Sequence, residues 1–173
     1  MKIAPLSAAA LLWACAATAQ EIPDEFRKEW PDFRYAEPAQ LRGLPAAVRS
    51  DLESRGCRIP RFMKWDGPHN AIQGQFMRAG QQDWAVLCAT PARTTILVYP
   101  AGAADAVKAL RAEDPDPRRF IHAVSAFVLD KRAVRDQQGE MPLRQFDHDA
   151  IEDGPIGHGG RVLYHLEGEW SLL

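Results

Sequence analysis

The densest group of chemically capable side chains in this sequence lies near its end. Asp147-His148-Asp149 sets two carboxylates and an imidazole side by side, and Glu152, Asp153, His158 and His165 follow closely. Such a set could hold a divalent cation or supply a general acid and base, the chemistry of a metal-assisted hydrolase built on the Asp147–His165 segment. His148, Asp149 and His158 are the catalytic candidates of that reading. Their spacing limits it. An EF-hand loop would need an oxygen ligand where Ile151 stands and a glycine where Glu152 stands. The interval from His148 to His158 matches no HExxH-type helical pair. The plainer reading is a turn-rich surface segment whose carboxylates cap a helical turn ended by Gly154-Pro155. No metal and no cofactor is assigned on this basis.

Other candidates are thinner. Ser50, Ser54 and Ser125 lack the G-x-S-x-G strand–turn–helix context of an activated nucleophile. His122 lies in an apolar run and reads as a hydrogen-bonded core histidine. Gly157-His-Gly-Gly160 has no phosphate-loop lysine and reads as a turn. Trp30, Trp65, Trp84 and Trp170, with Tyr35, Tyr99 and Tyr164, could include a sugar-stacking platform, although aromatic residues in strands mostly belong to the core. Trp65, in a loop flanked by prolines, is the ligand-binding candidate.

The start of the chain bears on where such a site would work. Met1-Lys2, the uncharged apolar run from Ala8 to Ala17 and the small-x-small Ala17-Thr18-Ala19 read as a secretory signal peptide over residues 1–19. The run is shorter than the ~20 residues needed to span a bilayer, so no integral membrane segment is expected after cleavage. Bulky Trp13 fits poorly before a lipidated Cys15, which disfavours lipidation. Loss of Lys2 leaves 20 basic and 23 acidic residues, so the net charge moves from −2 to −3. A weakly acidic chain without a basic run offers no footprint for nucleic acid. The mature chain keeps Cys57 and Cys88, and in an oxidising compartment an even pair is most simply a disulfide. A buried free pair and half of a metal site are the alternatives, the second lacking a third ligand at zinc spacing. A periplasmic or secreted location follows as the expectation.

The elements that must position these residues can be read in outline. Residues 20–43 are proline-broken and aromatic, an irregular arm docked on the core. Leu44 to Arg55 reads as a helix: Pro45 suits its first turn, Leu44, Val48 and Leu52 make one apolar stripe, and Gly56 ends it. Three runs, Asn70–Met77, Asp83–Cys88 and Thr94–Tyr99, read as an antiparallel meander, the second and third covered on both faces. Ala103–Glu113 reads as an alanine-rich helix, Phe120–Leu129 as a long strand and Asp130–Glu140 as an exposed charged loop. Arg161–Leu166 and Glu169–Leu173 flank Glu167-Gly168 as a hairpin, with Trp170 expected to be buried. The resulting expectation is a single α+β domain over residues 44–173, an antiparallel sheet of about five or six strands with the N-terminal helix packed on it and one disulfide.

Two segments carry a resemblance. Leu52-Glu-Ser-Arg-Gly-Cys-Arg-Ile-Pro60, Gly74-Gln-Phe76 and Asp83-Trp-Ala-Val-Leu-Cys88 resemble a group of uncharacterised exported bacterial proteins. Asp147-His-Asp-Ala-Ile-Glu-Asp-Gly154, Tyr164 and Gly168-Glu-Trp170 are similar to the same group. The resemblance spans about half of the mature chain and implies export. It carries no activity, so no residue's role comes with it. Without a recognisable catalytic constellation, the sequence favours a non-enzymatic module that binds an envelope protein or a glycan, with the metal-assisted hydrolase as the alternative.

Overall fold

The computed structural model describes residues 24–29, 31–63, 69–136, 146–156 and 158–173. Within them the chain is mostly β, with ten strands in three antiparallel sheets. Strands β1 (Phe33–Ala36) and β2 (Ile59–Phe62) form a two-stranded ribbon. The first four-stranded sheet is a meander of β3 (Ala71–Gly74), β4 (Asp83–Ala89), β5 (Thr94–Tyr99) and β6 (Lys108–Glu113). The second is a meander of β7 (Arg119–Val124), β8 (Ala150–Pro155), β9 (Arg161–Leu166) and β10 (Glu169–Leu172). Helix α1 (Asp24–Glu29) precedes the ribbon, α2 (Ala46–Ser54) precedes β2, and α3 (Ala126–Asp136) follows β7.

This corrects the expected α+β fold with one sheet under one helix, and the errors have identifiable causes. The segment read as an alanine-rich helix is β6: pairing along β5 overrides a helix propensity that is only a weak prior. The long apolar run from Phe120 is not one strand. It pairs with β8 as far as Val124, after which the Ser125 carbonyl accepts from the Val128 and Leu129 amides and α3 begins. A continuous apolar run cannot by itself separate strand from helix. Helix α3 also occupies part of the supposed charged loop, and the supposed helical turn after Asp149 is β8. The stretch expected as an irregular arm holds α1, β1 and a single 3₁₀ turn, Pro38–Gln40.

Side-chain alternation arranges the elements in layers. On β4 and β5, Val86, Cys88, Leu97 and Tyr99 face α2, where they meet Leu44, Val48 and Leu52. Ala85, Leu87, Ile96 and Val98 face the other way, onto Ile121, Ile151 and Leu163 of the second sheet. Leu129 of α3 packs with Val124, Ala150 and Tyr164 on that sheet's outer face. The order of layers is therefore helix, sheet, sheet, helix. Both central strands of the first sheet are apolar on both faces because both faces are covered. Helix α2 follows Pro45 and is stopped at Gly56, whose φ of 67° an L side chain resists.

Cys57 and Cys88 are joined by a disulfide, Cα–Cα 4.9 Å, which ties the end of α2 to β4. Arg58 and Ala89, the next residues of each segment, exchange backbone hydrogen bonds of 2.9 Å. The β9–β10 turn has Glu167 at φ 52° and Gly168 at φ 90°, the left-handed pair of a primed hairpin turn. Trp170 is only partly buried, against the core between the sheets. Among the described residues no helix is long and apolar enough to cross a membrane.

One residue joins all three sheets. Asn70, fully buried, sits at φ 60° just before β3. Its Oδ1 accepts from the Ile121 amide (2.7 Å) and its Nδ2 donates to the Pro60 carbonyl (2.7 Å). Its own amide donates to Ile121 O (3.1 Å), and its carbonyl accepts from Leu87 (2.8 Å). Asparagine tolerates the left-handed region better than other side chains that could reach both partners.

Candidate functional site

The residues singled out at the chain's end are dispersed. His148 precedes β8 and His158 follows it, so a six-residue strand of about 20 Å lies between them. His148 is 7% exposed, and its ring stacks on Tyr164 with centroids 4.3 Å apart. Its Nδ1 lies 2.5 Å from Asp147 Oδ1 and 3.0 Å from the Tyr164 hydroxyl, which donates to the same Asp147 oxygen. Those contacts, His148 first and Tyr164 second, hold the exposed Asp147 carboxyl below the usual range. Burial and then the Asp147 carboxylate push the Tyr164 phenol up. Asp149 turns elsewhere: its Oδ2 accepts from the Gln75 amide (2.9 Å), and its own amide returns a bond to Gln75 O (3.0 Å). His158 is exposed, and His165 Nδ1 lies 2.8 Å from Met77 O. Among the described residues no group of three or more His, Cys, Asp or Glu side chains could hold a metal ion. Trp65 lies outside the described residues, as does the expected signal peptide.

Two further polar sets close the second sheet. His122 and Glu152 are cross-strand partners, with His122 Nε2 3.4 Å from Glu152 Oε2. Burial lowers the His122 imidazole below its usual value, and Arg132 lowers it further against the pull of Glu152. Glu152 also accepts from Arg132 (2.7 Å) and from the Gly160 amide (3.1 Å). These bonds outweigh burial and keep its carboxyl low. On the inner face, Arg119 grips Asp153 with Nε (3.1 Å) and Nη2 and reaches Glu113 with Nη1 (2.8 Å). Arg111 completes the ring by pairing with Glu113 and Asp153. It sits at the bulge where the β5–β6 register shifts, at φ 43°. Bulges re-aim a side chain in this way. Every charge in that ring has a partner of opposite sign, and with Arg119 and Asp153 buried and Arg111 and Glu113 half-buried the set reads as a clasp between the two sheets.

A large concavity among the described residues lies on the helix-side face of the first sheet, between the ribbon and β3. It encloses about 1000 Å³ and is walled by Arg34 and Tyr35 of β1, Arg42, Arg61 of β2, Gln73 of β3 and Trp84 of β4. Ligand pockets commonly run to ~300–1000 Å³ with a few convergent polar groups. No carboxylate lines it among the described residues. Register puts Arg34 directly opposite Arg61 in the ribbon, and Gln73 directly opposite Trp84. Like charges set directly opposite each other across an antiparallel pair are destabilising. Arg34 Nη1 donates to the carbonyls of Pro31 and Phe33, both at 2.6 Å, which fixes the guanidinium in place. Arg42 and Arg61 have no hydrogen-bond or ion-pair partner among the described residues. Arg58 lies 4.6 Å above the Tyr35 ring, its Nε 3.6 Å from Glu37.

Sequence reasoning passed over this groove. Trp84 and Tyr35 were legible as aromatic candidates, but the arginines are scattered singly along the chain and meet only through strand register. No family model, curated protein or solved structure matches the chain.

Proposed function

We propose that the chain is a non-enzymatic binding module of the cell envelope and that its ligand occupies the groove between the β1–β2 ribbon and the first sheet. One observation carries the reading: three arginines, with no carboxylate lining the same wall among the described residues, stand with the Trp84 indole in a concavity large enough for a small organic ligand. The dispersal of His148, Asp149 and His158 supports binding over hydrolysis, because acid–base chemistry needs its groups within hydrogen-bond reach of one reacting atom. The Cys57–Cys88 disulfide fits an oxidising compartment, and the resemblance to exported bacterial proteins points the same way.

The test is an NMR titration of the mature, oxidised protein with soluble fragments from digested cell envelope. The amide signals of Ala71 and Gln73 and the Trp84 indole N–H should shift, while those of α3 stay. If no fragment moves the groove signals, the reading fails.

A further inference from the structure

We infer that the groove recognises an anionic carbohydrate, with the sugar's oxyanion held between Arg34 and Arg61 and its ring lying against Trp84. The inference rests on the binding reading above and narrows it to a ligand class. It starts from a cost. Two arginines stand directly opposite each other in a four-residue ribbon, where side chains of opposite charge would stabilise the pair and like charges weaken it. An oxyanion between them reverses the sign of that interaction. Arg34 is pre-set for the task, because its Nη1 is spent on two carbonyls while Nε and Nη2 are left to donate. Arg61 has all five N–H donors available among the described residues. Guanidinium forks match the oxygens of a carboxylate or a phosphate two at a time.

A bare inorganic anion would fill only a small part of about 1000 Å³, which leaves room for a larger molecule to carry the oxyanion. The rest of the wall says what. Trp84 is half-buried, packed against the core cluster beneath α2, and even a Cβ added at Gly43 or Gly102 would come no closer to it than ordinary contact, 3.9 Å from Cη2 and 3.7 Å from Cδ1. An indole so held is a flat apolar platform, suited to the C–H face of a pyranose ring. Gln73, its cross-strand partner, presents an exposed amide beside it, with a donor and an acceptor for hydroxyl groups. A uronic acid and a sugar phosphate share this chemistry, and an acidic peptide would use the arginines but not the platform.

Isothermal titration of the mature, oxidised protein separates these cases. The probes are a tri-galacturonate, its fully methyl-esterified form, a phosphorylated trisaccharide with its dephosphorylated form, and tetraglutamate. At least one anionic sugar should bind, and removing its charge should weaken binding tenfold or more. The carboxylate and phosphate arms show which oxyanion is preferred. R61E should abolish anionic-sugar binding while leaving the thermal midpoint equal or higher, because the introduced carboxylate would face Arg34 with opposite charge. R61Q should weaken binding about tenfold, also without loss of stability, and W84F should weaken charged and neutral sugars alike. Three results would overturn the inference: tetraglutamate binding as tightly as either sugar, neutral sugars binding as well as charged ones, or R61E binding unchanged. Neutral sugars that bind and move the groove signals would leave the binding reading standing without the anion requirement. If no probe and no envelope fragment moves them, both readings fall.

Discussion

Replacing Asn70 by alanine should be the most damaging single polar substitution in the molecule. The change strips the Ile121 amide and the Pro60 carbonyl of their 2.7 Å partners in a fully buried site. A buried donor or acceptor left unsatisfied costs about 1–3 kcal/mol. Alanine at φ 60° adds about 1 kcal/mol, because its Cβ crowds the following carbonyl and it has no side-chain bond to compensate. The expected loss is about 3–7 kcal/mol, a large part of the ~5–15 kcal/mol that holds a typical domain together. In urea, with a slope of about 2 kcal/mol per molar, the midpoint should fall by about 1.5–3.5 M. Asn70→Gly separates the contributions, since it loses both side-chain bonds but relieves the backbone, and it should recover about 1 kcal/mol relative to alanine. A loss under about 1 kcal/mol for Asn70→Ala would refute the idea that this residue joins the three sheets energetically as well as geometrically.

Three other outcomes are expected. Reducing the disulfide, or replacing Cys57 and Cys88 together by serine, opens a link across a sequence separation of 31 and should cost about 3–4 kcal/mol in the chain-entropy model; thiol labelling before and after reduction, paired with melts, checks it. Asp153→Ala leaves Arg119 charged and buried with Glu113 as its remaining acid partner and should cost about 3 kcal/mol by chemical denaturation, whereas a loss confined to a few tenths would mean the clasp is idle. Tyr164→Phe removes a hydroxyl donor from Asp147, so that carboxyl should titrate closer to its ordinary value by NMR. Because its folded pKa is depressed, the stability it supplies is present above the ordinary carboxylate range and lost as pH falls through the folded value, and the variant should lose part of that low-pH dependence, the share from His148 remaining.

How much could be read from sequence depended on whether the signal was local. Helix α2 was legible because Pro45, the Val48–Leu52 stripe and Gly56 lie within a dozen positions. Strands β4 and β5 were legible from apolar residues on both faces, and the Cys57–Cys88 bridge from the two cysteines that follow the expected signal peptide. The second sheet was blurred. Its first strand runs without a break in hydrophobicity into α3, and β8 is as rich in carboxylates as a surface turn. With that stretch read as a turn, whether His148 and His158 share one site stayed open; a strand's rise of about 3.3 Å per residue carries them apart. The groove was the least accessible feature. Arg34 and Arg61 each lie in a four-residue strand, and their opposition exists only through the register of a ribbon closed across α2. Asn70 read only as the first residue of a strand run, because nothing in the sequence shows which backbone groups its side-chain amide will meet.

The separation of the chain into two meanders has a kinetic consequence. Residues 71–113 supply every strand of one sheet and residues 119–172 every strand of the other, with no strand exchanged between them. Apart from the β7–β8 pairing, which closes across α3, each sheet can therefore grow hairpin by hairpin through contacts close in sequence, which carry a small loop-closure penalty. The expensive, non-local event is the meeting of the two apolar faces, and the Asn70–Ile121 bonds can form only at that moment. Substitutions at Leu87 or Ile151 should accordingly act on the rate of docking, and those in the β9–β10 turn on an earlier and faster phase.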